Sequence, residues 1–216
     1  MVATPEPGRL RAATDEPTEP DLTHIDQRIV MHGMRWQDYE VMLAVRGDHA
    51  RPKMFYLDGE LELMSPTQGH EGKKTLAGRL LETYGDEMDL ELNGFGSWTL
   101  KEAPKDAGAE PDECYIIGTA HRAVPDLVIE IEWTRGGLNK LEIYARLGVR
   151  EFWRWKRRAR EPEIYVLRGE AYERADRSEV LPDLDLSILS RFIHHESQSQ
   201  AVREYRAVLR ERRRVG

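Results

Sequence analysis

Three acids fall within four residues, Glu110, Asp112 and Glu113, at the head of the run GAEPDECYIIG (108–118), whose apolar end reads as a buried strand. Eighteen residues beyond Asp112, Glu130 interrupts the apolar run of PDLVIEIEW (125–133), which is β-branched and continuous enough to be a central strand. The connecting segment GTAHRAV is short. If the two strands pair as an antiparallel hairpin about a turn near His121, partner numbers sum to about 242 and Asp112 faces Glu130. Facing side chains have Cβ atoms roughly 4.5–5.5 Å apart. Two carboxylates that close, near a sheet interior, repel one another and lose hydration. A fold compensates for that, most commonly with a divalent cation. The alternative is an exposed Asp112 and a Glu130 paired with an arginine such as Arg122.

Lys140 is the third candidate. On a helical wheel of LNKLEIYARLG (138–148), Glu142, Arg146 and Asn139 share a polar face, and Lys140 falls inside the apolar arc. It also lies in the first helical turn, where a cation opposes the macrodipole. Both costs call for an anionic partner on the sheet side, and the acids of the preceding strand are nearest. Otherwise the side chain snorkels outward past Tyr144. Glu132 shares a strand face with Glu130, giving that strand an acidic edge.

These residues need a frame. MRWQDYEVMLAV (34–45) predicts a short amphipathic helix with Trp36, Tyr39, Leu43 and Val45 inward. MFYLDGELELMSP predicts a hairpin turning at Asp58-Gly59. A helix opening at His70-Glu71 presents Leu76, Ala77, Leu80, Leu81 and Tyr84 to a core. GFGSWTL (94–100), CYIIG, EFWRW and EIYVLR read as strands, LPDLDLSILSRF as a loop with a helical turn, and the last fifteen or so residues as a polar helix. Strand–helix–strand over 125–156 is a crossover joining parallel strands. The expected fold is a single α/β domain, a mixed sheet flanked by helices.

The chain has 216 residues, 40% hydrophobic and 33% charged, with net charge −7. That suits one domain, here expected over 23–195, between a disordered Pro-rich tail (1–22) and a basic helix (196–216). No apolar run is long enough to span a membrane. The N-terminal run has no apolar signal-peptide core, so a cytoplasmic location is expected. The lone Cys114 excludes an internal disulfide framework and a multi-cysteine zinc site. The chain has no GxSxG, HExxH or P-loop pattern. REFWRWKRRAR (150–160) and the arginine-rich C-terminal run could meet phosphates or be solvated charge. The five tryptophans read as packing, with Trp133 singled out because it follows the acidic edge; His194-His195 reads as a solvated pair.

A Pro-Asp at a strand start, a Glu in the next apolar strand and a nearby Lys resemble the PD-(D/E)XK nuclease core. YLDGELELMSP, the following His70, GAEPDECYIIG, PDLVIEIEW and NKLEIYARLGVREFW together resemble a bacterial family of restriction-endonuclease-like proteins, from about Trp36 to Leu189. The resemblance implies a restriction-endonuclease-like fold and metal-dependent hydrolysis of nucleic-acid phosphodiesters, DNA foremost. It implies Asp112 and Glu130 as ligands of Mg²⁺ (or Mn²⁺) and Lys140 as the active-site lysine, and His70 matches a histidine of the family in a supporting position. Glu132, beside them, is expected to hold Lys140 charged or to add a water-bridged metal contact. The sequence departs from the simplest pattern of that superfamily, since Glu132 stands where the lysine is usual. A catalytically inactive nuclease-fold binding or accessory module is therefore the alternative. A homodimer is one arrangement by which single-site chains could cut both strands.

Overall fold

The computed structural model describes residues 25–119 and 121–215. The tail assigned to 1–22 lies outside the described residues.

The Asp58-Gly59 turn joins β2 (Lys53–Leu57) to β3 (Glu60–Ser65), and both turn residues take positive φ. β1 (Gln27–His32) adds to the outer edge of β3. Across β2 the sheet continues through β6 (Ala107–Ala109) to β5 (Leu100–Glu102), five strands in the order β1-β3-β2-β6-β5. The second sheet has six strands, β11-β10-β9-β8-β7-β4, and contains the crossover. In it β8 (Leu127–Glu132) runs parallel to β9 (Glu151–Lys156), and α3 (Lys140–Leu147) makes the connection. All other pairings are antiparallel, so the sheet is mixed, and β8 is central as its composition predicts.

Apolar periodicity decides how the helices cover these sheets. α2 (Gln68–Glu87) buries Leu76, Ala77, Leu80, Leu81 and Tyr84 against Ile129 and Ile131 of β8. Its start is fixed two residues before the expected one, because Thr67 Oγ1 accepts from the His70 amide. Truncating a fully buried side chain of this face, such as Leu80, costs about 2–5 kcal/mol. α5 (Gln198–Val215) docks Ala201, Tyr205 and Leu209 into the same core, and the short α4 (Leu186–Leu189) closes its end. α3 occupies the space between the sheets. Its Ile143, Tyr144 and Leu147 meet Phe55 and Leu57 of β2 on one side and Val128 and Phe152 on the other. α1 (Trp36–Arg46) covers the far side of the five-stranded sheet, where Tyr39 packs with Met54, Tyr56 and Leu61.

Three expectations differ. Val45 is 78% exposed, because nine residues from Trp36 at about 100° each place it on the opposite side of the helix. GFGSWTL is not one strand: β4 (Leu92–Gly94) pairs with β7 (Glu113–Ile117) in one sheet, whereas Leu100 belongs to β5 in the other. The chain changes sheets at Gly96, φ +55°. After β10 (Glu163–Arg168), β11 (Ala171–Ala175) is a strand the sequence does not announce. Its residues AYERA lack apolar alternation, and it is held by backbone pairing to β10 at the sheet edge.

Candidate active site

The β7–β8 register is Glu113 with Ile129, Cys114 with Val128 and Tyr115 with Leu127, each pair summing to 242 as expected. Asp112 stands one step before β7, opposite the Glu130 position. Both carboxylates are buried, at 0% and 2% exposure. The compensation for placing them there comes from the protein itself. Lys53, the first residue of β2, crosses from the other sheet and donates to Asp112 Oδ1 at 2.5 Å and to the Pro111 carbonyl at 2.9 Å. Asp112 Oδ2 accepts from the Ile131 amide at 2.7 Å and lies 2.9 Å from His70 Nε2. Burial pushes the Asp112 carboxyl up, but Lys53 and His70 outweigh it and hold the group well below the usual carboxylate range.

Glu130 is held from the crossover helix. Lys140 Nζ donates to its Oε2 at 2.5 Å, and Tyr144, one turn on, donates to Oε1 at 2.5 Å. Phe55 lies beneath the Lys140 ammonium, 3.9 Å to the ring centre. The lysine thus faces the sheet and does not snorkel away, as its place on the apolar arc requires. Burial raises the Glu130 pKa, and the neighbouring Asp112 charge adds to the rise while Lys140 opposes it. Arg122 is not the partner of Glu130; it pairs with Asp126.

His70 and Glu132 behave differently. His70 bridges two carboxylates, with Nδ1 3.0 Å from Asp26 Oδ2 and Nε2 on Asp112. Burial would lower its pKa, yet the two acids raise it to about 9, so the ring is an imidazolium at neutral pH. Asp26 in turn accepts from the Thr67 amide, while its own amide donates to Thr134 Oγ1 beyond β8. Glu132 pairs with Arg154 of β9 at 3.7 Å rather than with Lys140.

A cleft of about 210 Å³ opens onto this cluster. Glu130 and Lys140 line it together with Glu132, Arg28 and Arg154. Its rim is the loop between β8 and α3. There Gly137 lies so close to Glu62 that a Cβ on it would sit 2.2 Å from Glu62 Oε2. That carboxylate accepts from the Leu138 amide at 2.7 Å and has Arg28 at 3.5 Å, so it fixes the entry to α3. Asp112 lies behind Glu130 and does not line the cleft. Among the described residues, no group of three or more His, Cys, Asp or Glu could hold a metal ion. The donor set available to one is the pair of hard carboxylates. Magnesium retains several waters and needs few protein ligands, so such a pair fits it.

Sequence reasoning reached Asp112, Glu130, Lys140 and His70, and the fold brings all four into one cluster. It missed Lys53, Asp26, Tyr144, Glu62 and Arg28. For Lys53 a signal was present: a lysine heading the apolar run KMFYL is a cation in a strand buried on both faces.

The family model of Uma2, described as "Putative restriction endonuclease", matches residues 36–202. A solved structure described as a "putative nuclease belonging to DUF820", from Anabaena variabilis, aligns with a TM-score of 0.44 and 13% sequence identity. The alignment covers 75% of this chain and 96% of that one. No curated protein matches the chain. No helix among the described residues is long and apolar enough to cross a membrane.

Proposed function

This chain belongs to the Uma2 family, and we propose that it hydrolyses phosphodiester bonds of DNA with Mg²⁺ at the Asp112–Glu130–Lys140 cluster. The observation that carries this reading is the convergence of Glu130 and Lys140 in a cleft walled by Arg28 and Arg154, with Asp112 directly behind. Two guanidiniums and an ammonium outnumber the carboxylates of Glu130 and Glu132 in that cleft, which suits a phosphodiester, because cations there neutralise charge that grows in the transition state. Bidentate arginine contacts also orient it.

The chain's own groups divide the work. Lys140 meets a phosphate oxygen or orients the attacking water, and Phe55 and Glu130 position its ammonium. Tyr144 holds the Glu130 carboxylate in place. His70 and the Ile131 amide do the same for Asp112. A magnesium ion held by Asp112 and Glu130 would supply a polarised phosphoryl oxygen and a water of lowered pKa. Manganese is compatible with the same oxygen donors. The family's description supports DNA as substrate. The proposal extends to a homodimer acting in the cytoplasm, since one site per chain cuts one strand at a time.

Calorimetry with Mg²⁺ and cleavage of supercoiled plasmid, wild type beside Asp112→Asn, test the assignment. Wild type should bind the ion and cut, and the variant should do neither while melting as a folded protein. Cleavage that persists in Asp112→Asn would refute it.

One observation favours a second reading. Every oxygen of Asp112 and Glu130 already has a protein partner, and Lys53, Lys140 and His70 balance the charge. A catalytically inactive nuclease-fold binding module would look the same. It predicts nucleic-acid binding that is indifferent to Mg²⁺, with no ion bound by either protein.

A further inference from the structure

A second cleft, about 610 Å³, opens beside the start of α2. Glu132 lines the first cleft and its neighbour Trp133 lines the second, so the two adjoin at the carboxyl ends of β8 and β9.

Charge and shape distinguish this cleft. Arg157, Arg158 and Arg160 line it with Lys73, against one acid, Glu196. Many other arginines of this acidic protein are paired with carboxylates. Arg150 meets Asp126, Arg154 meets Glu163, and in α5 Arg206 and Arg210 meet Glu87, Arg212 meets Asp185 and Arg213 meets Asp89. Among the described residues, no carboxylate lies within 4.0 Å of the side-chain nitrogens of Arg157, Arg158 or Arg160. Lys73 is buried and, among the described residues, donates only to the carbonyls of Lys156 and Arg157, at 2.8 and 3.0 Å. It fixes the backbone that presents the arginines and adds a cation with no carboxylate within 4.0 Å among the described residues.

The cleft also has a planar surface. The Arg157 guanidinium lies 4.5 Å from the centre of the Trp133 ring. Gly69 makes room for that indole, since a Cβ there would lie 2.4 Å from Trp133 Cζ2. Indole and guanidinium planes both stack on unpaired bases, and base stacking is tolerant of sequence. A stacked base must be unpaired, so a duplex cannot use this platform.

We propose that the Trp133–Arg157 cleft binds single-stranded nucleic acid, with a base on the indole–guanidinium platform and phosphates on Arg157, Arg158 and Arg160. Resting on the hydrolytic reading above, the bound strand continues from the phosphodiester in the Glu130–Lys140 cleft. Binding itself does not depend on that reading.

The test is fluorescence anisotropy in EDTA with single-stranded DNA and RNA oligonucleotides of about 12 residues, beside a blunt duplex. Replacing Arg157, Arg158 and Arg160 together by Gln should weaken single-strand binding about tenfold or more. The slope of log affinity against log salt should fall by about two. Trp133→Leu should weaken binding about fivefold with the slope unchanged. Arg158 and Arg160 are exposed, so the arginine variant decides the matter even if the tryptophan variant does not fold. The relative affinities of the DNA and RNA strands identify the sugar. Unchanged affinity in the arginine variant, or tighter binding of the duplex by wild type, would overturn the proposal. Cleavage of the same single-stranded oligonucleotides by wild type in Mg²⁺ is read separately, so binding that depends on the arginines without any cleavage would sink the hydrolytic reading alone.

Discussion

Lys53 of the five-stranded sheet and Asp112 at the mouth of the six-stranded sheet are joined, Nζ to Oδ1, at 2.5 Å across 59 residues of sequence. Both are buried, and the bond is at once the anchor of the candidate site and a tie between the two sheets. Burial works against the Lys53 ammonium, but Asp112 and Glu130 raise its pKa.

Removing one partner of a buried pair strands the other charge, which costs about 3–5 kcal/mol. Lys53→Met should therefore lower stability by that order in urea denaturation. In a cycle with Asp112→Asn, the coupling should exceed about 1 kcal/mol. A coupling near zero would mean that the Pro111 carbonyl alone holds Lys53.

The His70 imidazolium gives a signature in pH. Its folded pKa of about 9 lies above the ordinary 6.5. The stability it contributes is complete below about 6.5 and disappears as pH rises through 9, up to about 3 kcal/mol. Lys73, which burial lowers to about 8, gives the opposite slope above pH 8. Subtracting the profile of His70→Gln from that of wild type, both metal-free, isolates the histidine. A difference that stays flat from pH 6 to about 10 would remove the imidazolium from the account.

Glu113 is a cost that the fold carries. Burial, with Asp112 and Glu82 nearby, raises its pKa to about 7 despite Lys74. Ionising it in the folded state is unfavourable, so the penalty is absent below about 4.5 and full above 7. Glu113→Gln should stabilise the protein at pH 8, by on the order of 2 kcal/mol, and leave it unchanged at pH 4. Equal urea midpoints at pH 8 would contradict this.

Lys140→Gln separates chemistry from ion binding. The variant should cut plasmid at least about 100-fold more slowly while its calorimetric affinity for Mg²⁺ stays within a few-fold of wild type. Parallel loss of both would make Lys140 a support for Glu130 and nothing more.

Much of this arrangement was legible in the residues. A turn centred near His121 was enough to set the β7–β8 register and to place Asp112 before Glu130. The position of Lys140 on the apolar arc of α3 was enough to send it to an acid on the sheet. Lys53 and Asp26 were hidden because their role is tertiary: nothing local in KMFYL or in the residues before β1 says which distant carboxylate or imidazole they meet. Two buried acids demand cations, and Lys53, Lys140 and the His70 imidazolium supply them from distant points of the chain. The split of GFGSWTL was illegible for a similar reason, since each half forms its strand by pairing with a different distant partner.

The Lys53–Asp112 bond has a consequence for how the protein is made. A chain emerging from the ribosome delivers Lys53 early, Asp112 in the middle, and Lys140 and Arg154 last. The cleft exists only when all have met, and such long-range contacts form late. Every fragment that ends before Arg154 is therefore without the complete centre.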